Sequence, residues 1–320
     1  MDIFLSNQVQ IFLFSESIIY LISLIAFIAS IVIVKEWNFN STSPKQYKLE
    51  KRSFLIMTII VLTLWIKIAL LAYFVYTIDS ISVLIPGAMC AAGVISANQY
   101  GNPLLFLKIA LLFLTGIWLI LNSLDQKAED YPYFKTKLWF YIAVFLLLSA
   151  EFYLDFAYFS HISTDDTVQC CSAIFGLSGD NHIPLNLNVL TLLAIFYILY
   201  ILTVLLSIQR YPFTLFVISL LFLYFAYQSV VHFFGTYIYE LPSHKCPFCM
   251  LQKEYGFVGY FLWGTLFLGV FFGISNFILK ILISYEDKRL YRFTIIFNTI
   301  FVILCTLYVL IYYIRNGVWL

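Results

Sequence analysis

The residues in this chain best able to do chemistry are its cysteines. The stretch that gathers them most tightly is His244-Lys245-Cys246-Pro247-Phe248-Cys249-Met250-Leu251-Gln252-Lys253. Two thiols separated by two residues can make and break a disulfide, or can hold a soft metal ion. The other cysteines are Cys90, in Pro86-Gly87-Ala88-Met89-Cys90-Ala91-Ala92-Gly93, the vicinal pair Cys170-Cys171, and Cys305. A bridge between adjacent cysteines closes a strained ring outside ordinary disulfide geometry. The vicinal pair is therefore expected to bridge to Cys90 or Cys246, or to act as a dithiol trap for a soft metal. Cys305 lies in the middle of an apolar run, where a cysteine usually serves as a small hydrophobe.

The histidines extend the set. His161 and His182 bracket the vicinal pair, His232 lies near the end of an apolar span, and His244 is two residues before Cys246. Met89 and Met250 adjoin cysteines. Thiolate, imidazole and thioether together suit Cu(I) or another soft metal, with Cys90, Cys170, Cys171, Cys246, Cys249, His161, His182 and His244 as its candidate ligands. Each histidine taken alone reads better as an interfacial hydrogen-bonding group.

Composition sets the frame that must hold these groups. The chain has 320 residues, 62% hydrophobic and 11% charged, with mean hydropathy +0.93. Soluble domains carry about 25% charge. An all-α integral membrane protein follows, a single polytopic domain over 1–320 whose first partner is the lipid bilayer. A net charge of +1 argues against nucleic acid as a partner. Many of the 33 Phe and 24 Tyr are bulk filling, and some are interfacial anchors. No Gly-rich phosphate loop, long polar domain or cleavable signal peptide is read.

A bilayer-crossing helix needs roughly 20 mostly apolar residues. Eight such spans are read, near 9–34, 53–77, 103–122, 138–160, 188–209, 213–235, 257–280 and 293–314. Alternate connections hold nearly all the lysine and arginine: Lys35, Lys45, Lys48, Lys51, Arg52, Lys127, Lys135, Lys137, Arg210, Lys280, Lys288, Arg289 and Arg292. The opposite segments hold only Lys245, Lys253 and Arg315. Basic residues stay on the cytoplasmic side, so both termini are expected outside. The outer loops, near 78–102, 161–187 and 236–256, then carry every cysteine except Cys305. Thiols outside the cytoplasm form bridges, exchange disulfides or bind metal. The expected location is a bacterial inner (plasma) membrane, with these loops facing the periplasm or exterior. The first loop is apolar enough to form a short re-entrant or interfacial helix. Its small residues Ala88, Ala91, Ala92, Ser96 and Ala97 permit close packing, as do Gly269 and Gly273 in the seventh span.

Within the spans, Glu16, Lys67, Lys108, Glu151 and Asp155 are expensive in lipid and are expected to pair or to line a wet cavity. Glu151 and Asp155 are spaced i, i+4 and share a helix face. A proton path and a set of ion pairs that fixes helix packing both fit this pattern.

At the Cys-Pro-Phe-Cys motif, Pro247 suits the first helical position. Cys246 is then expected at the N-cap and Cys249 in the first turn, where the helix N-terminus favours thiolate. Spacing i, i+3, i+7 would put Lys253 on the same face.

Here the sequence resembles a known family. Cys-Pro-Phe-Cys-Met-Leu-Gln-Lys is similar to the Cys-x-x-Cys-x-x-Gln-Arg stretch of the DsbB-like membrane thiol oxidoreductases, and the vitamin K epoxide reductase family has a related Cys-x-x-Cys helix. The match covers about ten residues. The resemblance implies Cys246 and Cys249 as the redox pair, with Cys249 facing a quinone. It also implies Gln252, Lys253 (in place of the family's arginine) and His244 around that quinone. Cys90, Cys170 and Cys171 would then shuttle or resolve disulfides with an extracytoplasmic thiol protein. Two rival expectations stand beside it. One is a soft-metal transport or metal-handling protein that uses the same residues and meets a metal-carrier protein. The other is a structural assembly subunit whose cysteines are bridges.

Overall fold

A computed structural model describes residues 3–38, 41, 43–128, 131–163, 167–168 and 183–320. Among these residues there is no strand, and eight helices are long and apolar enough to cross a membrane. The chain divides into two compact units, Met1–Val168 and Gln169–Leu320.

The first unit contains α1 (Asn7–Glu36), α2 (Pro44–Ile81), α3 (Ala91–Ile95), α4 (Gly101–Lys127) and α5 (Phe134–Ser160). The second contains α6 (Val189–Gln209), α7 (Pro212–Ser229), α8 (Gly235–Tyr239), α9 (Val258–Ile283) and α10 (Lys288–Asn316). A π-helical turn, Val230–Phe234, joins α7 to α8, so the sixth span runs unbroken from Pro212 to Tyr239.

Helix ends follow local chemistry. The Ser43 hydroxyl accepts from the Gln46 N–H, and Pro44 takes the first turn of α2. Asn188 caps α6 by accepting from Thr191, and Asp287 caps α10 by accepting from Arg289. Gly317, at φ 70°, closes α10 in the left-handed conformation that glycine adopts without strain.

In the first unit the long helices pack in chain order and close on themselves: α1 on α2, α2 on α4, α4 on α5, and α5 on α1. Ile60, Leu64, Leu111, Trp118, Leu138 and Tyr141 lie in a buried core shared by these helices. Lys137, expected in a polar connection, is instead buried in α5. It pairs with Asp125 at 2.6 Å and donates to Asn122 at 3.1 Å, which pins the α4–α5 turn. The apolar 78–102 connection does form a short helix. All five residues of α3 are buried, and it packs on α2 and α4. Tyr158 donates its hydroxyl hydrogen to the Val94 carbonyl at 2.8 Å.

The second unit has the same connectivity: α6 on α7, α7 on α9, α9 on α10, and α10 on α6. The paired glycines of α9 serve this packing. A Cβ at Gly269 would lie 2.1 Å from Asn298 Oδ1 on α10, and one at Gly273 would lie 2.4 Å from Ser219 Oγ on α7. Only glycine permits these approaches.

Candidate functional site

The second unit builds its thiol site in the connection between α8 and α9. The chain leaves α8 through Glu240, at φ 53°, and passes Pro242 and His244 to the motif. The motif does not open a long helix, contrary to the sequence expectation. Cys249–Leu251 is a single 3-10 turn, Gln252 is extended, and Lys253–Tyr255 is a second short turn. Gly256 at φ 62° and Phe257 at φ 57° then reverse the chain, and α9 starts only at Val258. Cys246 is therefore not a helix N-cap, and Lys253 does not share a helix face with the cysteines. Lys253 is exposed, and Gln252 is half-buried. The axial field of a long helix N-terminus is not what acts on Cys249.

Side chains from the flanking spans hold the loop instead. The Tyr239 hydroxyl, at the end of α8, donates to the Cys246 carbonyl and accepts from the Met250 N–H at 3.0 Å. One phenol thus bridges the backbone on both sides of the motif. Trp263, one turn and more into α9, donates its indole N–H to the Pro247 carbonyl at 3.2 Å. Gly259 lets the turn settle on α9, since a Cβ there would lie 2.6 Å from Met250 Cγ.

Within this frame the Cys246 and Cys249 sulfurs lie within 4.8 Å of each other, and both residues are buried, at 2% and 5% exposure. Side-chain rotation can close such a gap to the roughly 2.05 Å of a disulfide bond. The His244 ring meets Tyr239 edge-on at 4.3 Å. Its Nε2 is a buried atom without a hydrogen-bond partner in the protein, which suits a carbonyl oxygen or a metal ion.

The remaining sequence candidates are placed as follows. Cys90, in the first unit, is fully buried at the N-cap of α3. His161 is exposed, with Nδ1 2.8 Å from the Ala157 carbonyl at the end of α5, so it finishes its own helix. Cys305 is fully buried in the middle of α10. Cys170, Cys171 and His182 lie outside the described residues. His232 sits buried on the π-helical turn with an unpartnered Nε2; such turns are frequent at functional sites.

A second constellation lies in the first unit, among the charged residues of the spans. Lys67 of α2 pairs with Glu16 of α1 and Glu151 of α5, each at 2.7 Å. Lys108 of α4 pairs with Glu151 at 2.7 Å and Asp155 at 3.0 Å, with Glu16 at 3.9 Å. The Lys108 ammonium also lies over the rings of Phe12, at 5.1 Å, and Phe74, at 4.6 Å. The expected pairing is present, and it ties all four long helices of the unit together.

No protein-family model matches this chain, and neither the curated proteins nor the solved structures contain a match to it.

Proposed function

We propose that this protein is a membrane thiol:disulfide oxidoreductase that passes electrons from extracytoplasmic thiols to a membrane quinone. The observation that carries the reading is the closeness of the buried Cys246 and Cys249 side chains in a loop clamped by Tyr239. The lysine and arginine distribution supports placing that loop, and both termini, on the extracytoplasmic face.

In the reaction, a partner thiolate attacks a Cys246–Cys249 disulfide and forms a mixed disulfide. The partner's second thiol resolves it, leaving the partner oxidised and both cysteines as thiols. Those thiols then surrender two electrons and two protons to a quinone, which leaves as quinol, and the disulfide re-forms. Tyr239 holds the two backbone segments together throughout. His244 Nε2 supports quinone as acceptor, because a buried ring nitrogen without a protein partner can donate to a quinone oxygen. Gln252 is the next candidate at that position.

The test is a cysteine map by alkylation and mass spectrometry on reduced protein, before and after exposure to quinone, together with turnover on a dithiol substrate. Cys246 and Cys249 are expected to re-oxidise only with quinone, and Cys249→Ala is expected to abolish turnover. Full activity in Cys249→Ala would overturn the proposal. Thiols shielded from alkylation until a chelator is added would assign the loop to a soft metal such as Cu(I) instead. A stable disulfide indifferent to quinone would make it a structural staple.

A further inference from the structure

The buried charges of the first unit do not balance. Glu16, Glu151 and Asp155 supply three carboxyl groups, and Lys67 and Lys108 supply two ammonium groups. All five residues lie in membrane-spanning helices, and oxygens of all three acids fall within 4.8 Å of one another. Among the described residues no other charged side chain pairs with this group. An uncompensated charge in such a place is costly, and the protein can remove it only by binding one positive charge.

Geometry selects the binder. A metal cation would need several free oxygens, yet the acids are already bonded to two ammonium groups, which would repel it. A proton needs one oxygen. Glu151 reaches both lysines at 2.7 Å, and Glu16 has Lys67 at 2.7 Å with Lys108 beyond it at 3.9 Å. Asp155 has only Lys108, through Oδ2 at 3.0 Å. Its other oxygen, Oδ1, is buried and has no partner, on a residue of zero exposure. A cavity of about 20 Å³, bordered by Lys67, Lys108, Glu151 and Thr115, adjoins the group. That is room for about one water molecule, able to carry a proton to the cluster.

We propose that this cluster is a proton-binding site, holding one exchangeable proton on the Asp155 carboxyl. The exchange is Asp155–COO⁻ plus H⁺ to Asp155–COOH, the proton passing between Asp155 and the cavity water by way of Glu151, the carboxylate that borders the cavity. The groups facing Asp155 are Lys108 on α4, Glu151 on its own helix, Glu16 on α1 and Lys67 on α2. The site is independent of the thiol chemistry proposed above.

The experiment is infrared spectroscopy of the full-length protein in lipid nanodiscs at neutral pH, in H₂O and D₂O. The wild type is expected to show one buried protonated-carboxyl band that shifts on deuteration, and Asp155→Asn is expected to lose it. Glu16→Gln is expected to lose it as well, because two carboxylates then match two lysines and no proton is needed. No such band in the wild type, which needs no variant to fold, would overturn the proposal. So would a band of wild-type intensity in Asp155→Asn. Thermal stability that rises with sodium or potassium at fixed pH would assign the missing charge to a metal cation, and would also overturn it.

Discussion

Removing one oxygen atom from Tyr239 should loosen the cysteine loop without disturbing its packing. Tyr239→Phe keeps the ring, and with it the contacts to His244 at 4.3 Å and Tyr255 at 4.7 Å. It deletes the hydroxyl that serves the Cys246 carbonyl and the Met250 N–H. Both residues are buried, at 2% and 0% exposure, so water does not replace the lost partner while the loop stays closed. A buried polar group left unsatisfied costs roughly 1–3 kcal/mol. Two are exposed to that penalty here, and relaxation of a short loop relieves part of it. A net loss of about 2 kcal/mol in local stability raises the open fraction of the loop roughly 30-fold. Alkylation of a buried thiol proceeds through the open form, so the rates at Cys246 and Cys249 should rise by the same factor in reduced protein. The rate at Cys305, within α10, should not change. Peptide-resolved mass spectrometry after timed alkylation reads all three together. Tyr237→Phe is the matched control, because its hydroxyl touches only the backbone of Leu320. Rates at Cys246 and Cys249 within twofold of wild type would refute the clamp.

Three further outcomes follow from the packing. Lys108→Met leaves Glu151 and Asp155 without the ammonium that lies within 3.0 Å of both, and should cost about 3–5 kcal/mol in denaturant unfolding. The double variant Lys108→Met/Glu151→Gln should recover at least half of that loss, since one buried negative charge leaves with the positive one; additive losses would refute the coupling. Gly269→Ala drives a Cβ to 2.1 Å from Asn298 Oδ1 and 2.9 Å from the Asn298 backbone nitrogen. It should cost about 1–3 kcal/mol, whereas Gly264→Ala, with open space around it, should be neutral or stabilising by up to about 1 kcal/mol; equal melting shifts in the two would refute the reading. Cys90→Ser should leave quinone-driven bridging of Cys246 to Cys249 intact, because the second unit alone supplies Tyr239 and Trp263 to hold that pair. A cysteine map without that bridge would show that Cys90 belongs to the pair.

The spans were legible because lipid demands long apolar runs, and hydropathy measures that demand directly. Their ends were not, because a helix does not stop where lipid stops. α2 starts at Pro44 and carries Lys45, Lys48, Lys51 and Arg52 on helical turns, where the apolar pattern begins only near residue 53. The buried ions were legible as residues in need of partners, and Glu151 with Asp155 could be placed on one face by spacing. Which lysine met which acid could not, since that depends on four helices coming together. The cysteine loop misled for a local reason. Pro247 is a good helix opener, but Gly256 and Phe257 both adopt positive φ and end any continuous helix before α9. Gly256 was the available warning. Tyr239 gave none, as one of 24 tyrosines in an aromatic-rich chain.

The two units repeat one arrangement and put different chemistry into it. In each, four long helices neighbour one another in chain order, and two of the three connections are short: 36 to 44 and 127 to 134 in the first, 209 to 212 and 283 to 288 in the second. The connection between the second and third long helices is the exception, running from 81 to 101 and from 239 to 258. These long connections bury residues of their own, among them Cys90 in the first unit and Cys246 and Cys249 in the second. The interiors then diverge. The first unit buries Glu16, Lys67, Lys108, Glu151 and Asp155 between its helices. Among the described residues of the second, no Asp, Glu, Lys or Arg is buried, and the polar groups inside it include uncharged ones such as Ser219, Thr265 and Asn298. A proton site needs fixed charges to define it. The proton binding proposed for the first unit and the thiol exchange proposed for the second would thus take place in separate bundles, one lined by fixed charges and the other by uncharged groups.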